Sequence, residues 1–287
     1  MVITHQPAAV NRWQYPRCGE QLPGVALRDG KYLFHFARTV DELDAVLKLR
    51  FEVFNLELNE GLVSSYLTRR DEDAFDEQCH HLMVSENSTG AVVGTYRMQT
   101  HEMARNGKGF YSAEEFDLSG FPAEVLDTAV ELGRACVAKE HRSSRVLLLL
   151  WRGLAAYLAH NRKRHLFGCC SLTSQDPAEG RRVMKHLEAH GDVHRSIRVL
   201  PQPGYECYLE GHAPSRPSAT TDASLSARDV PPRVGVVKIP KLMKLYLMYG
   251  AKICGPPAID RQFRTIDYLG LIDVHELDAQ TYRYFFR

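Results

Sequence analysis

The chain has 287 residues, of which 44% are hydrophobic, and its formal net charge is +1. This length suits one large domain or two small ones, and the near-neutral charge excludes the global basic footprint of a nucleic-acid-binding protein. The longest apolar runs, such as Val146–Trp151, are far shorter than the ~20 residues that a membrane-spanning helix needs. The N-terminus lacks a basic region followed by an apolar stretch, so no signal peptide is predicted.

The cysteines bear on metal binding and on the redox environment. Seven are present without a Cys-x-x-Cys pair, which argues against a zinc ribbon and against a secreted disulfide scaffold. Cys79-His80-His81 and the neighbours Cys169 and Cys170 suggest a metal site, but no second ligand pair has a fitting spacing. We therefore expect buried structural thiols, no metal and a reducing, cytoplasmic location.

The first half of the chain is predicted to begin with an arm, residues 1–30, followed by a single domain over 31–287. Thr39, with Glu42 three residues later, predicts a capping box at the start of a helix. Glu86–Gly90 lies between two apolar runs and predicts the turn of a β-hairpin. In order, we predict a strand at 32–37, a helix from 40 to 54, an acidic connection at 55–77, hairpin strands at 79–85 and 91–99, and a loop at 101–124.

The second half continues this alternation of strands and helices. Asp176-Pro177 predicts a helix start, because Pro suits the first turn. Residues 211–233 are rich in Pro, Ser and Thr and predict a flexible insert. The element order predicts one mixed α/β sheet with helices on both faces. The remaining predicted elements are a strand carrying Glu131, a helix from 143 or 144 to 160, a strand at 164–171, a helix to 190, a strand at 205–209, a helix at 240–249, and strands at 251–255 and 266–273.

Residues 131–134, Glu-Leu-Gly-Arg, place two charges inside an apolar run that is typical of a buried strand. Buried charges are costly unless they are paired or used, and Arg suits bidentate pairing with carboxylates. A charge network is therefore predicted, either structural or presenting negative charge to an amine substrate. Its predicted members are Arg50, Arg97 and Arg134 with Asp73, Asp76 and Glu131.

Arg142-Ser143-Ser144-Arg145 lies where this strand passes into a helix N-terminus. The free N–H groups and the helix dipole favour an anion there. Because this turn has no Gly-x-Gly spacing, a single phosphate bound by Arg142 and Arg145 fits better than a pyrophosphate. A simply capped helix is the alternative.

Two further segments each allow two interpretations. Phe167–Ser171 admits a nucleophilic cysteine, but small residues on a central strand more often mean close packing or room for a ligand chain. Lys238–Tyr249 carries Lys among Leu, Met and Tyr, which suits an anionic membrane surface and equally a capping helix over the sheet.

At these residues the chain resembles the GNAT-fold acyltransferases that use acyl carrier protein. It is similar to the acyl-homoserine-lactone synthases and, more closely, to the lyso-ornithine lipid synthases (ornithine–acyl-carrier-protein N-acyltransferases, often labelled haemolysin-like). The resemblance runs over 34–174 and resumes over 238–277. The segments that carry it are Arg50 with Val53-Phe54, Asp71-x-Asp73-x-Phe75-Asp76, Val93–Arg97, Glu131–Arg134, Leu150–Tyr157, Leu166–Cys169, and Gly250–Gly255 with Pro257-Ala258.

The resemblance implies a largely antiparallel, twisted GNAT-like sheet and a set of site residues. The family's active-site network maps onto Arg50, Asp71, Asp73, Asp76, Arg97, Glu131 and Arg134. One departure is that no Trp lies between Arg50 and the acidic triplet, where lactone synthases normally carry one in the S-adenosylmethionine-binding loop. This departure argues against lactone synthesis.

The implied reaction moves an acyl group, expected to be 3-hydroxyacyl, from a carrier-protein thioester to the α-amine of ornithine. An α-amine titrates near ~8, so modest base assistance suffices. Glu131 is the expected base, directly or through a water, and a backbone N–H near Val137 is expected to contact the thioester oxygen. Arg142 and Arg145 are expected to meet the phosphopantetheine phosphate.

No bound cofactor or metal is expected, and the expected partners are acyl carrier protein, the amino acid and the surface of the inner membrane. Three alternatives stay open. They are an N-acyl amino acid synthase that uses glycine or tyrosine, a lactone synthase, and a non-catalytic module that binds lipid or the carrier protein.

Overall fold

A computed structural model describes residues 15–208 and 237–286. Its strands are β1 (Leu27–Asp29), β2 (Tyr32–Phe36), β3 (His80–Glu86), β4 (Val92–Thr100), β5 (Phe116–Asp117), β6 (Ala129–Val137), β7 (His165–Leu172), β8 (Leu200–Pro201), β9 (Lys252–Ile253), β10 (Ala258–Asp260) and β11 (Thr265–Asp273). Nine of them form one sheet with the order β1-β2-β3-β4-β6-β7-β11-β10, in which β9 also pairs with β11; β5 and β8 pair separately. Within this sheet β6 and β7 run parallel, and the other pairs are antiparallel. The predicted mixed, largely antiparallel sheet is confirmed.

The helices begin and end at residues whose chemistry explains them. The α-helices are α1 (Val40–Phe51), α2 (Ser65–Thr68), α3 (His101–Arg105), α4 (Ala123–Asp127), α5 (Ser144–Asn161), α6 (Pro177–Ala189), α7 (Lys241–Met248) and α8 (Ala279–Phe286). The capping box of α1 is confirmed, since Thr39 Oγ1 accepts the Glu42 N–H and Glu42 Oε2 accepts the Thr39 N–H, both at 3.2 Å. The Asp176 carboxylate accepts the Ala178 N–H at 2.9 Å and starts α6.

The two faces of the sheet differ in chemistry. Helix α5 covers one face, where its Leu150 and Leu154 join Leu82, Tyr96 and Met98 in the main hydrophobic core. Residues paired across neighbouring strands share a face. Arg97 pairs with Gly133, Gln99 with Glu131, and Asp267 with Ser171, so these residues lie on the face opposite the core. That polar face holds the candidate site, and α1 packs beside it through Val46 against Met83.

Several predictions about individual elements needed correction. Leu27–Asp29, assigned to the arm of residues 1–30, forms β1 and pairs with β2. The strand predicted at 205–209 is reduced, within the part that is described, to one bridge between Glu206 and Ala258. The loop predicted at 101–124 contains α3, part of α4, two 3₁₀ turns and β5. The insert predicted at 211–233 lies outside the described residues.

No helix in the described ranges is both long and apolar enough to cross a bilayer. Helix α7 instead packs over the sheet. Its Met243 is buried, and its Tyr246 hydroxyl lies 2.7 Å from that of Tyr96 on β4. Of the two interpretations of this segment, the geometry agrees with the capping helix.

Candidate active site

A bulge in β6 brings Glu131 and Arg134 to the same face. Their separation of three residues would put the two side chains on opposite faces of a regular strand. The register of β4 and β6 shifts between Thr95 and Arg97, and Arg134 has a φ of +47°, which is uncommon for a residue with a side chain. Bulges redirect side chains beside active sites. This one lets Arg134 point to the polar face with Glu131.

Arg50, on α1, is the centre of the predicted charge network. Its side chain is 0% exposed, and its Nε donates to Asp71 Oδ2 at 2.7 Å. Its two terminal nitrogens donate to both Asp76 oxygens at 2.6 and 3.2 Å. Burial opposes ionisation of Asp76, yet the guanidinium groups of Arg50 and Arg97 hold its pKa well below the usual range. Arg50 and the two aspartates thus form a buried network of charged groups.

Arg97 and Arg134 complete this network. Arg97 Nη1 donates to both Asp73 oxygens at 2.6 and 2.7 Å and to Asp76 Oδ1 at 3.0 Å. Arg134 Nη2 donates to Asp73 Oδ2 at 3.1 Å, and its Nε lies 3.3 Å from Asp71 Oδ2. Three guanidinium groups thus face three carboxylates and their charges balance. The network consequently has no surplus negative charge for an amine.

Glu131 is not a member of this network, which corrects the sequence prediction. Its Oε2 accepts Gln99 Nε2 at 2.6 Å and the Tyr111 N–H at 2.9 Å. Its Oε1 accepts the Ser112 N–H at 2.7 Å and the Ser112 hydroxyl at 2.6 Å. Four donors fill the roughly four acceptor positions of a carboxylate. In this state Glu131 holds the 111–112 segment against the sheet.

The sheet opens beyond Glu131, because β6 and β7 pair only from Ala129–His165 to Glu131–Phe167. At the point of divergence Gly168 approaches β6 so closely that a Cβ there would lie 2.2 Å from the Leu132 carbonyl oxygen. The backbone of β6 after this point is therefore not covered by β7. Such an exposed strand edge can pair with an extended ligand.

A cavity of about 680 Å³ occupies this opening and has two chemically distinct parts. One part lies on the core side beneath α5 and α7, and Leu147, Leu150 and Leu245 line it. The other part lies on the polar face, where Arg134 and Glu131 line it. The cavity thus joins an apolar compartment to a charged one through the gap in the sheet.

Val137 and Arg142 also line this cavity. The Val137 carbonyl accepts Arg142 Nε at 3.1 Å, and the two terminal nitrogens of Arg142 donate to Glu57 at 2.6 and 2.7 Å. Arg145 does not line the cavity; it is half exposed and lies 3.6 Å from Asp29. Of the two predicted phosphate contacts, Arg142 therefore lines the cavity and Arg145 does not.

A group of buried acids, which the sequence analysis did not single out, lines the charged compartment. Glu115, Asp260 and Asp267 are 3%, 7% and 2% exposed. Carboxylate oxygens of Glu115 and Asp267 and the Cys169 sulfur all lie within 4.8 Å of one another, close enough to be considered as metal ligands. Burial raises the pKa of Glu115 well above its usual range, and the charge of Asp267 adds to this shift. The sequence contains a signal that could have identified Asp267, since this residue is a charge inside the apolar run 265–273.

All seven cysteines are free thiols, and five of them are buried, whereas Cys18 and Cys169 are partly exposed. Burial raises the pKa of Cys169 well above its usual value and that of Cys170 to about 12. Thiols in such surroundings do not form the thiolate that nucleophilic catalysis needs. His80 and His81 are also structural, since His80 Nδ1 lies 2.8 Å from the Tyr157 hydroxyl and His81 Nε2 lies 3.1 Å from the Asp76 carbonyl oxygen.

Comparisons with known proteins show which sequences this chain is similar to. Residues 49–152 match the family model described as an acetyltransferase (GNAT) domain. The chain is 30% identical to the L-ornithine N(alpha)-acyltransferase of Agrobacterium fabrum (strain C58 / ATCC 33970), over 91% of this chain and 87% of that protein. It is also 30% identical to the protein of the same name from Rhizobium meliloti (strain 1021), over 87% and 82% of the two chains.

Solved structures that are similar to this one share little sequence with it. The structure of FeeM, an N-acyl amino acid synthase from uncultured soil microbes, aligns with a TM-score of 0.46 at 10% identity, covering 88% of this chain and 93% of that chain. The crystal structure of the AHL synthase LasI aligns with a TM-score of 0.42 at 12% identity, covering 85% and 91%.

The domain match and the named relatives define the chain as an acyltransferase. More particularly, the chain belongs to the L-ornithine N(alpha)-acyltransferase family, because the similarity extends over nine-tenths of its length. The resemblance that the sequence motifs suggested is thereby confirmed.

Proposed function

We propose that this enzyme transfers a long acyl group, expected to be 3-hydroxyacyl, from acyl carrier protein to the α-amine of ornithine. The observation that carries the proposal is the two-part cavity, which offers an apolar compartment and a charged one on either side of the opening in the sheet. A fatty acyl chain suits the first compartment, and a charged amino acid suits the second. The names of the relatives supply ornithine as the acceptor.

The donor arm is proposed to lie along the uncovered edge of β6, where its amides can pair with the strand. Arg142 is the proposed phosphate contact, and its ion pair with Glu57 would open to receive the phosphate. An N–H near Val137 is the proposed contact of the thioester oxygen. Arg145, which is half exposed, is proposed to contact the surface of the carrier protein.

In the proposed reaction the neutral α-amine attacks the thioester carbonyl carbon. A C–N bond forms, the C–S bond breaks, and the thiol of the carrier arm leaves with a proton. The proton lost by the amine passes through a water to Glu131 and from there to the departing sulfur, so the thiol carries away the proton that the amine gave up. For this to happen, one of the four donors on Glu131 must be exchanged for that water.

The acceptor's α-carboxylate has a proposed site on the guanidinium groups. Arg97 Nη2 and Arg134 Nε are buried donors that form no hydrogen bond, although Arg134 Nε keeps its ion-pair contact of 3.3 Å with Asp71. Both side chains line the charged compartment. Arg presents such donors in a fixed geometry that matches a carboxylate, and a bound carboxylate would give these orphaned donors an acceptor.

The test is an assay of the purified enzyme with acyl carrier protein thioesters and a panel of amines. Ornithine alone as acceptor supports the proposal. Product on glycine or tyrosine would indicate a different amino acid synthase, product on S-adenosylmethionine a lactone synthase, and no product at all a binding module. Replacing the carrier thioester by the corresponding coenzyme A thioester tests the donor.

The role of Glu131 requires a pair of variants. We expect Glu131→Ala and Glu131→Gln to fold but to lose most turnover, while Ser112→Ala, which removes one hydroxyl donor from Glu131, keeps a pH profile like that of wild type. Full activity of Glu131→Gln would exclude the base assignment and leave Glu131 as a positioning residue for the 111–112 segment.

Contact with the inner-membrane surface is a further part of the proposal. Met248 on α7 is 71% exposed beside the exposed Lys244, and Val63 and Leu67 are 77% and 90% exposed. Exposed apolar groups near basic ones suit an anionic interface. Cosedimentation with anionic vesicles, and its absence with neutral ones, would support this contact; no binding to either would refute it.

A further inference from the structure

The acids of the charged compartment have no cationic partner of their own. Among the ion pairs of the described residues, none includes Glu115, Asp260 or Asp267. Asp267 accepts hydrogen bonds from the Ser171 and Thr265 hydroxyls, and Asp260 accepts two backbone N–H groups at 2.7 and 2.9 Å. Neutral donors thus hold two of these carboxylates in fixed orientations without cancelling their charge.

Glu115 is the acid in this group that has an unsatisfied carboxylate oxygen. Its side chain lines the cavity and is 97% buried, as its exposure of 3% shows, yet its Oε2 has no hydrogen-bond partner. Leaving such an atom unsatisfied is costly. A proton shared with Asp267 can satisfy both carboxyl groups while the site is free, as in other close carboxyl pairs. A cation that enters between them can replace that proton.

The nearest guanidinium group is already engaged elsewhere. Arg134 donates to Asp73 and is held between the rings of Tyr111 and Phe263, at 4.8 and 4.4 Å from their centroids. It therefore stays in the balanced network and is not free to neutralise Glu115. The surplus negative charge of the compartment remains available to a ligand.

We propose that Glu115 and Asp267 bind the side-chain ammonium group of the acceptor amino acid, with Asp260 as the adjoining charge. This inference rests on the proposed function, since it takes the acceptor to be an amino acid with a second amine. An ammonium has three donors, enough to reach the orphaned Glu115 oxygen and Asp267 together. Glycine or tyrosine would leave these carboxyl groups without a cation, so the pair selects for a basic acceptor.

The test measures binding of free amino acids by calorimetry, with the full chain and unacylated carrier protein present. Ornithine is compared with norvaline, which has the same carbon chain without the side-chain amine. We expect wild type to bind ornithine at least about tenfold more tightly than norvaline. Glu115→Gln and Asp267→Asn should each lose at least about tenfold for ornithine and leave norvaline unchanged. Glu114→Gln, which removes the exposed neighbouring carboxylate, is the matched control and should change neither.

Equal affinity of wild type for the two amino acids, or no binding of either, would overturn the inference. So would a stoichiometric divalent metal that purifies with wild type and is absent from Glu115→Gln, since Cys169 beside the pair would then mark a metal site. The catalytic assay is separate: acylation of ornithine without selective binding would sink only this inference. Selective binding without acylation would sink the proposed reaction and leave the ammonium site standing.

Discussion

Removal of Arg50 tests whether the charge network stabilises the fold. In Arg50→Met the flexible apolar side chain occupies much of the same space, while Asp71 and Asp76 lose three hydrogen bonds of 2.6–3.2 Å. Since Arg50 and Asp71 are fully buried, one uncompensated negative charge stays in the interior. Removing one partner of a buried pair costs about 3–5 kcal/mol, which corresponds to a fall of the midpoint of thermal unfolding by roughly 10 °C in a chain of this size.

The measurement is chemical denaturation at neutral pH, with Lys48→Met as the matched control. Lys48 lies on the same helix and forms an ion pair with Asp44, but its side chain is 56% exposed. Exposed pairs contribute at most about 1 kcal/mol, so the control should unfold near wild type. In the double variant Arg50→Met/Asp76→Asn, two Arg face two Asp and the charges balance again. This variant should lose less stability than the sum of the single variants.

The dependence of stability on pH gives an independent check. In wild type the network lowers the pKa of Asp76 below the value in the unfolded chain. The ionised Asp76 therefore stabilises the fold above the unfolded pKa, and this contribution is lost as the pH falls below ~4. In Arg50→Met the guanidinium of Arg50 is absent, and the effect of burial on the pKa of the Asp76 carboxyl prevails. This carboxyl should therefore take up a proton when the variant folds. The variant should therefore become more stable, relative to wild type, as the pH falls toward ~4. Equal losses in Arg50→Met and Lys48→Met, or parallel pH profiles, would refute the reasoning.

Two further predictions concern the opening in the sheet. On the proposed donor assignment, Arg142→Gln should raise the KM for the carrier-protein thioester about tenfold and leave the KM for ornithine unchanged, because the proposed charge-assisted phosphate contact is lost. An unchanged donor KM in steady-state kinetics would remove Arg142 from the proposed donor site. Gly168→Ala should destabilise the fold by about 1–3 kcal/mol, since its Cβ would lie 2.2 Å from the Leu132 carbonyl oxygen. Gly24→Ala, whose Cβ would meet nothing within 4 Å, is the control; equal denaturation midpoints would contradict the steric argument.

The elements that could be predicted are those whose signals are local. The capping box at Thr39, the hairpin turn before β4 and the Asp176-Pro177 helix start each depend on residues within one turn of chain. β1, β5 and β10 have two or three residues, too few to show a period of two, and they form only because a partner strand lies beside them. Their existence depends on long-range pairing, which a single sequence does not display.

The site was predictable to the extent that charges in apolar runs reveal it. This signal found Arg97, Glu131 and Arg134, and it also marks Asp267. The partners could not be assigned in the same way. The bulge at Arg134 determines which face of the sheet the Arg134 side chain occupies. Because glycine adopts a positive φ most readily, the sequence would place such a bulge at the neighbouring Gly133. Glu131 instead accepts hydrogen bonds from the 111–112 segment and Gln99, although the cost of a buried charge had predicted that it joins the arginine network.

The arginine–aspartate network has equal numbers of positive and negative groups, whereas the acids at Glu115 and Asp267 have no cation among the described residues. This difference bears on which amine of the acceptor reacts. Ornithine has an α-amine that titrates near ~8 and a side-chain amine that titrates near ~10. A carboxyl pair such as Glu115 and Asp267 favours the charged ammonium, so the amine it holds is not nucleophilic. In the proposed complex, the acceptor's carboxylate lies near Arg134 on the balanced side, and its α-amine, which loses its proton more readily, faces the opening where the thioester is proposed to enter. On the proposed assignments, selection of the acceptor and selection of the reacting nitrogen follow from the same uncompensated acids.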